Sequence, residues 1–137
     1  MAKVNFRLVM PERELLNTEA DMVVVPGSEG DFGVLPGHAP LISTVRPGVL
    51  EVFQGTRVEQ RFLVAGGFAE VTPERCTVLA DEAAPFEQVT ADQLAERERA
   101  AEVTLSDAST EAERVAAEKN LTVIRDLRRA QAYYASR

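Results

Sequence analysis

The chain carries one cysteine, Cys76, so no intrachain disulfide can form and a reducing, cytosolic compartment fits. It carries one histidine, His38, with no second to join it and with Cys76 distant in sequence. The three or four suitable ligands that a zinc site needs are therefore not evident, and no metal is expected. Long apolar runs are missing: Phe62-Leu63-Val64-Ala65 is far too short to span a bilayer. The N-terminus lacks an apolar signal core, because Lys3 to Leu8 alternate polar with apolar, and it reads as a strand rather than a secretory signal. An excess of positive charge is missing as well. The formal net charge of −7 argues against nucleic acid or anionic lipid as the main partner. Proline and glycine disappear after Pro85.

What is present is enough for a core. Hydrophobic residues make up 45% of the 137, which excludes general disorder and suits one domain, or a small domain with an appendage. Val4, Phe6 and Leu8 alternate with Asn5 and Arg7, the period of a half-buried strand. Leu15-Leu16 reads as a short second strand, and Ala20 to Val25 as a third, halted by Pro26-Gly27. Leu41 to Val45 is stopped by Pro47-Gly48. Val49 to Gln54 and Thr56 to Ala65 form a hairpin about Gly55. Gly66-Gly67 marks a bulge or a close backbone approach. Phe68 to Thr72 and Cys76 to Ala80 make a further pair. Many short strands, each closed by glycine or proline, predict an antiparallel β-sandwich or barrel over residues 1–86.

Residues 87–137 change character to alanine, glutamate and arginine, all strong helix formers. Thr90-Ala91-Asp92-Gln93 and Thr110-Glu111-Ala112-Glu113 are both capping-box patterns. Ser106 to Ser109 is a polar break between them. Two helices about a short break predict an antiparallel hairpin. The first helix is poor in large apolar residues, so it buries little area and the hairpin should be weakly held.

Three features invite chemistry. The stretch Pro26 to Pro40 concentrates Gly27, Gly30, Gly33 and Gly37, but it has no lysine, no following helix, and two acids, Glu29 and Asp31, that would repel phosphate. A rigid inter-strand loop is the better reading. His38 has no serine elbow or neighbouring acid in sequence and reads as a hydrogen-bonded loop or interface residue. Arg125, Asp126, Arg128 and Arg129 form the one basic cluster, readable as a solvated face or as a contact for an acidic partner or anion.

The run Val25-Pro-Gly-Ser-Glu-Gly-Asp-Phe-Gly-Val-Leu-Pro-Gly-His-Ala-Pro-Leu41 closely resembles the signature loop of the ε subunits of bacterial F-type ATP synthases (δ in mitochondria). Supporting matches are Phe6-x-Leu-Val9 with Pro11-Glu12, Arg46-Pro-Gly-Val49, Val64-Ala-Gly-Gly-Phe68 and Val78-Leu-Ala-Asp81. The resemblance implies a sandwich of about ten strands followed by a two-helix hairpin. It implies a non-catalytic central-stalk rotor subunit bound to γ, the c-ring and the α/β subunits. Membrane association would come only through the complex, at the cytoplasmic face of the bacterial plasma membrane. By the same resemblance Glu29 and Asp31 face the c-ring and His38 lies near γ. Arg125, Arg128 and Arg129 meet the β subunit when the hairpin extends to inhibit ATP hydrolysis. Asp126-Leu-Arg-Arg129-Ala130 matches the last five positions of an Ile/Leu-Asp-x-x-Arg-Ala nucleotide motif, with Arg125 in place of the aliphatic residue. ATP as a regulatory ligand is the only small molecule implied.

Overall fold

The computed structural model describes residues 2–137. Ten strands precede two helices: β1 Val4–Val9, β2 Glu14–Ala20, β3 Met22–Gly27, β4 Gly30–Val34, β5 Leu41–Thr44, β6 Gly48–Gln54, β7 Arg57–Ala65, β8 Phe68–Val71, β9 Arg75–Leu79 and β10 Glu82–Pro85. A single 3-10 turn, Phe86–Gln88, leads to α1 Ala91–Ser106 and α2 Glu111–Ala135.

The strands form two five-stranded sheets. Their orders are β2-β1-β9-β8-β5 in the first and β10-β7-β6-β3-β4 in the second. Alternation along each strand sends one row inward. Phe6 and Leu8 of β1, Val23 and Val25 of β3, Leu50 and Val52 of β6, and Val78 of β9 meet in a single core. The antiparallel sandwich expected for the N-terminal domain is therefore present, and one strand pair in it departs from the antiparallel rule. β1 and β9 run parallel, from Asn5↔Arg75 to Val9↔Leu79. Neither belongs to a hairpin with the other, so no tight turn dictates their direction.

Three strands differ from the sequence reading. β2 runs seven residues rather than two, and Asp21 separates it from β3. β4 lies inside the glycine-rich stretch, where the sequence suggests a rigid loop between strands. β10 is a four-residue edge strand on β7. Gly66-Gly67 is a close approach, with φ of +74° and +89°. A Cβ on Gly67 would sit 1.8 Å from the Leu79 carbonyl oxygen.

Both capping boxes form, with the Thr90 and Thr110 hydroxyls accepting from the Gln93 and Glu113 amides. The helices pack antiparallel, since Glu98 and Glu102 of α1 meet Arg128 and Arg125 of α2. Ala101, Leu121 and Ile124 make a small core between them. A second cluster joins the hairpin to the outer side of the second sheet: Val49, Leu63 and Ala65 lie against Leu94 and Leu127. β6 and β7 are thus covered on both faces at this end. α1 buries only Leu94 and Ala101, in keeping with its alanine-rich composition.

Candidate functional site

Among the described residues no nucleophile, base and acid are brought together in one place. The candidate sites are surfaces, and the glycine-rich stretch builds the first. β3 and β4 pair from Val23↔Val34 to Gly27↔Gly30, leaving Ser28 and Glu29 as a two-residue turn. Gly30 takes φ +130°, open to glycine and rarely to L-residues. Glu29 stands exposed at the tip, with no ion pair or side-chain hydrogen bond among the described residues. Asp31 is differently placed: Arg46 Nη2 donates to its Oδ1 at 2.6 Å. The two acids share a tip but differ in pairing: Asp31 has an arginine partner and Glu29 has none among the described residues.

The loop from Leu35 to Pro40 carries the chain from the second sheet to the first. The Gly37 N–H donates to the Pro73 carbonyl at 2.8 Å, and the His38 N–H to the Leu35 carbonyl at 3.1 Å. His38 is half-buried, with its ring Nδ1 2.6 Å from the Ala39 carbonyl oxygen. It hydrogen-bonds no carboxylate, hydroxyl or thiol among the described residues. A nucleophile–base reading has no geometry to stand on. Cys76 is fully buried in β9, and burial pushes its thiol up to about 12.

The outer face of the first sheet is unexpectedly apolar at the end away from the Gly37–Pro73 contact. Thr44, Phe68 and Leu79 lie opposite one another across β5, β8 and β9, and Ile42 opposes Glu70 one step along. Ile42 is 71% exposed, Phe68 46% and Leu79 41%. Such a grouping on a sheet face marks an interaction site more often than chance scatter. The sequence reading missed it, although the signal was there. Period two places Phe68 on the face opposite Ala69 and Val71, which are both buried.

The basic cluster on α2 is largely engaged. Arg125 Nε and Arg128 Nη1 donate to the two oxygens of Glu98, at 3.0 and 2.6 Å, and Arg125 Nη2 donates to Glu102 at 3.1 Å. These bonds hold the Glu98 carboxyl below the usual carboxylate range, that from Arg128 most of all. Arg129 faces away and pairs with Asp126 one turn back. Arg129 and Asp126 line a cleft of about 730 Å³ between α2 and the sandwich, opposite Arg46 and Asp31 and flanked by Tyr133 and Tyr134. Each arginine there has its own carboxylate.

The model of the ATP synthase delta/epsilon chain beta-sandwich domain family matches residues 3–86. The chain belongs to the ATP synthase delta/epsilon family. It is 53% identical over 112 residues to the ATP synthase epsilon chain of Rhodospirillum rubrum, across 82% of this chain and 84% of that one. It is 48% identical over 121 residues to the epsilon chain of Paramagnetospirillum magneticum, across 88% and 91%. Among solved structures it is similar to a chain of the Euglena gracilis mitochondrial ATP synthase, OSCP/F1/c-ring, in rotational state 1. The TM-score is 0.78 at 26% identity, covering 95% of this chain and 82% of that chain. In this delta/epsilon chain no helix among the described residues is long and apolar enough to cross a membrane.

Proposed function

We propose that the chain is a non-catalytic rotor subunit of the central stalk, joining γ to the c-ring of an F-type ATP synthase at the cytoplasmic face of a bacterial plasma membrane. The observation that carries this reading is the apolar outer face of the first sheet, with Ile42, Phe68 and Leu79 exposed on it. It offers γ a dry contact on a stiff sheet. The acidic tip of the second sheet, Glu29 with Asp31 behind it, adjoins that face at Ile42 and Thr44 and offers a carboxylate edge to polar loops of the c-ring. A rigid body carrying two chemically distinct faces transmits load between two partners without turnover of its own. Mixing the chain with an F1 subcomplex that contains γ should give stoichiometric binding. Phe68→Glu should abolish that binding while the chain stays folded; undiminished association of this variant would remove the γ assignment.

A second role is carried by the hairpin. In the compact hairpin Arg125 and Arg128 are occupied by Glu98 and Glu102. Extension along γ would break those pairs and free the arginines for an acidic segment of β, inhibiting ATP hydrolysis. A chain truncated after Phe86 should then raise the ATPase rate of the reconstituted enzyme. An unchanged rate means the hairpin does not regulate. The cleft beside Asp126 and Arg129 supports a nucleotide-sensing variant of this role. Calorimetry with ATP on the wild type and Arg129→Ala decides it, and no heat at millimolar nucleotide rules it out.

A further inference from the structure

Arg46, at the head of the Arg46-Pro47-Gly48-Val49 run, makes three contacts to one hairpin. Its backbone N–H donates to the Pro26 carbonyl at 2.9 Å. Its Nη1 donates to the Gly27 carbonyl at 2.6 Å, and its Nη2 to Asp31 Oδ1 at 2.6 Å. Pro26 and Gly27 lie on β3 and Asp31 on β4, so one side chain spans both arms. The residues before it add to the hold. Val45 bridges Gly27, the Thr44 carbonyl accepts from the Ser28 N–H at 3.0 Å, and the Thr44 hydroxyl donates to Ser28 Oγ at 2.7 Å. Gly48 lets the Pro26 ring come close, since a Cβ there would lie 3.0 Å from Pro26 Cβ. The strap that crosses from the first sheet to the second thereby fastens the turn on which Glu29 stands.

We propose that Arg46 is a positioning residue that fixes the acidic tip and divides its two acids, Asp31 serving as the internal counter-ion and Glu29 as the carboxylate presented to a basic partner surface. The physical basis is the guanidinium fork. A planar cation with several donors can hold a carbonyl and a carboxylate at once, whereas a lysine ammonium is a single point charge. Asp31, though exposed, is paired within the molecule. Glu29, two residues away and on the exposed turn, has no such partner among the described residues. The identity of Glu29's partner rests on the c-ring reading; the fastening of the turn does not.

The test uses the full chain and its Arg46→Ala, Arg46→Lys, Asp31→Asn and Glu29→Gln variants. Amide hydrogen exchange is read at Ser28 and Arg46, which bond the tip to the strap, and at the central strand β1. Binding to detergent-solubilised c-ring is measured in parallel. Losing charge-assisted hydrogen bonds should speed exchange at Ser28 and Arg46 about tenfold in Arg46→Ala, with β1 unchanged. Arg46→Lys should recover part of that protection. Glu29→Gln should leave exchange untouched and weaken c-ring binding, and Asp31→Asn should speed exchange at the tip and weaken c-ring binding less than Glu29→Gln does. Unaltered exchange at the tip in Arg46→Ala overturns the positioning role, as does a uniform rise across the sandwich in both Arg46 variants. Loss of c-ring binding in Asp31→Asn as large as in Glu29→Gln, with normal exchange, overturns the division of the acids. If no acid variant changes c-ring binding while Arg46→Ala still loosens the tip, the positioning role stands and the c-ring reading falls.

Discussion

Gly67 and Gly55 separate two reasons for a glycine. Both have positive φ, +89° and +64°. Only Gly67 is also hemmed in, by the Leu79 carbonyl oxygen 1.8 Å from where a Cβ would sit; nothing lies within 4 Å of one at Gly55. Gly55→Ala should therefore cost only the left-handed backbone penalty of about 1–2 kcal/mol. Gly67→Ala adds a clash against backbone that cannot give way without moving β9, and should cost at least ~3 kcal/mol in all. Urea unfolding of the two variants measures the difference, and equal losses would contradict it. Cys76 gives a second prediction at this scale. Its thiol is buried and pushed up to about 12, so the thiolate that reacts with iodoacetamide is scarce in the folded chain. Mass spectrometry should find no adduct at neutral pH until denaturant is added. The buried strand character of Cys76 was legible from its neighbours. The unequal pairing of Glu29 and Asp31 was not, because the contact of Asp31 with Arg46 closes only through sheet geometry, fifteen residues apart.

At the scale of elements, legibility followed locality. The two capping boxes and the Gly55 hairpin were readable because every group involved lies within a few residues. β4 was not. Its residues, Gly30-Asp-Phe-Gly-Val34, have weak strand propensity, and their pairing with β3 overrides it. β2 and β10 are edge strands with little apolar pattern to betray them. The hairpin also has a testable electrostatic element. The Glu98 carboxyl is held below its ordinary 4.5 by Arg128 and Arg125, and Glu113 is lowered chiefly by the Ser109 N–H. A carboxylate lowered on folding contributes stability at neutral pH and loses it as pH falls through the folded value. Helix–helix protection should therefore hold from pH 7 down to about 5 and fade below the ordinary carboxylate range. Hydrogen exchange along α1 and α2 reads this directly. Glu98→Gln should lower protection at pH 7 and flatten the pH profile, whereas a steep profile retained in that variant would move the cause elsewhere.

The whole molecule consists of a large core between the sheets and much smaller clusters that hold the hairpin. The composition of α1 pointed to this asymmetry, and the structure gives it residues. Val49, Leu63 and Ala65 meet Leu94 and Leu127, and three polar ties add to them. Arg97 donates twice to Glu82, Gln131 donates to the Val89 carbonyl at 2.6 Å, and the Arg61 guanidinium lies over the Tyr134 ring. Leu127 sits 3% exposed at the centre of the docking cluster and contributes nothing to the sandwich core. Replacing a leucine so placed with alanine costs about 2–5 kcal/mol. Because the two clusters share no residue, that loss should fall on docking alone. Leu127→Ala should be cleaved by protease between Phe86 and Thr90, releasing an intact fragment of residues 1–86, and exchange at β1 and β9 should match the wild type. If cleavage spread into the strands, or if protection fell equally in both parts, hairpin and sandwich would form one cooperative unit. A hairpin able to leave the sheet without unfolding the sandwich would then be excluded.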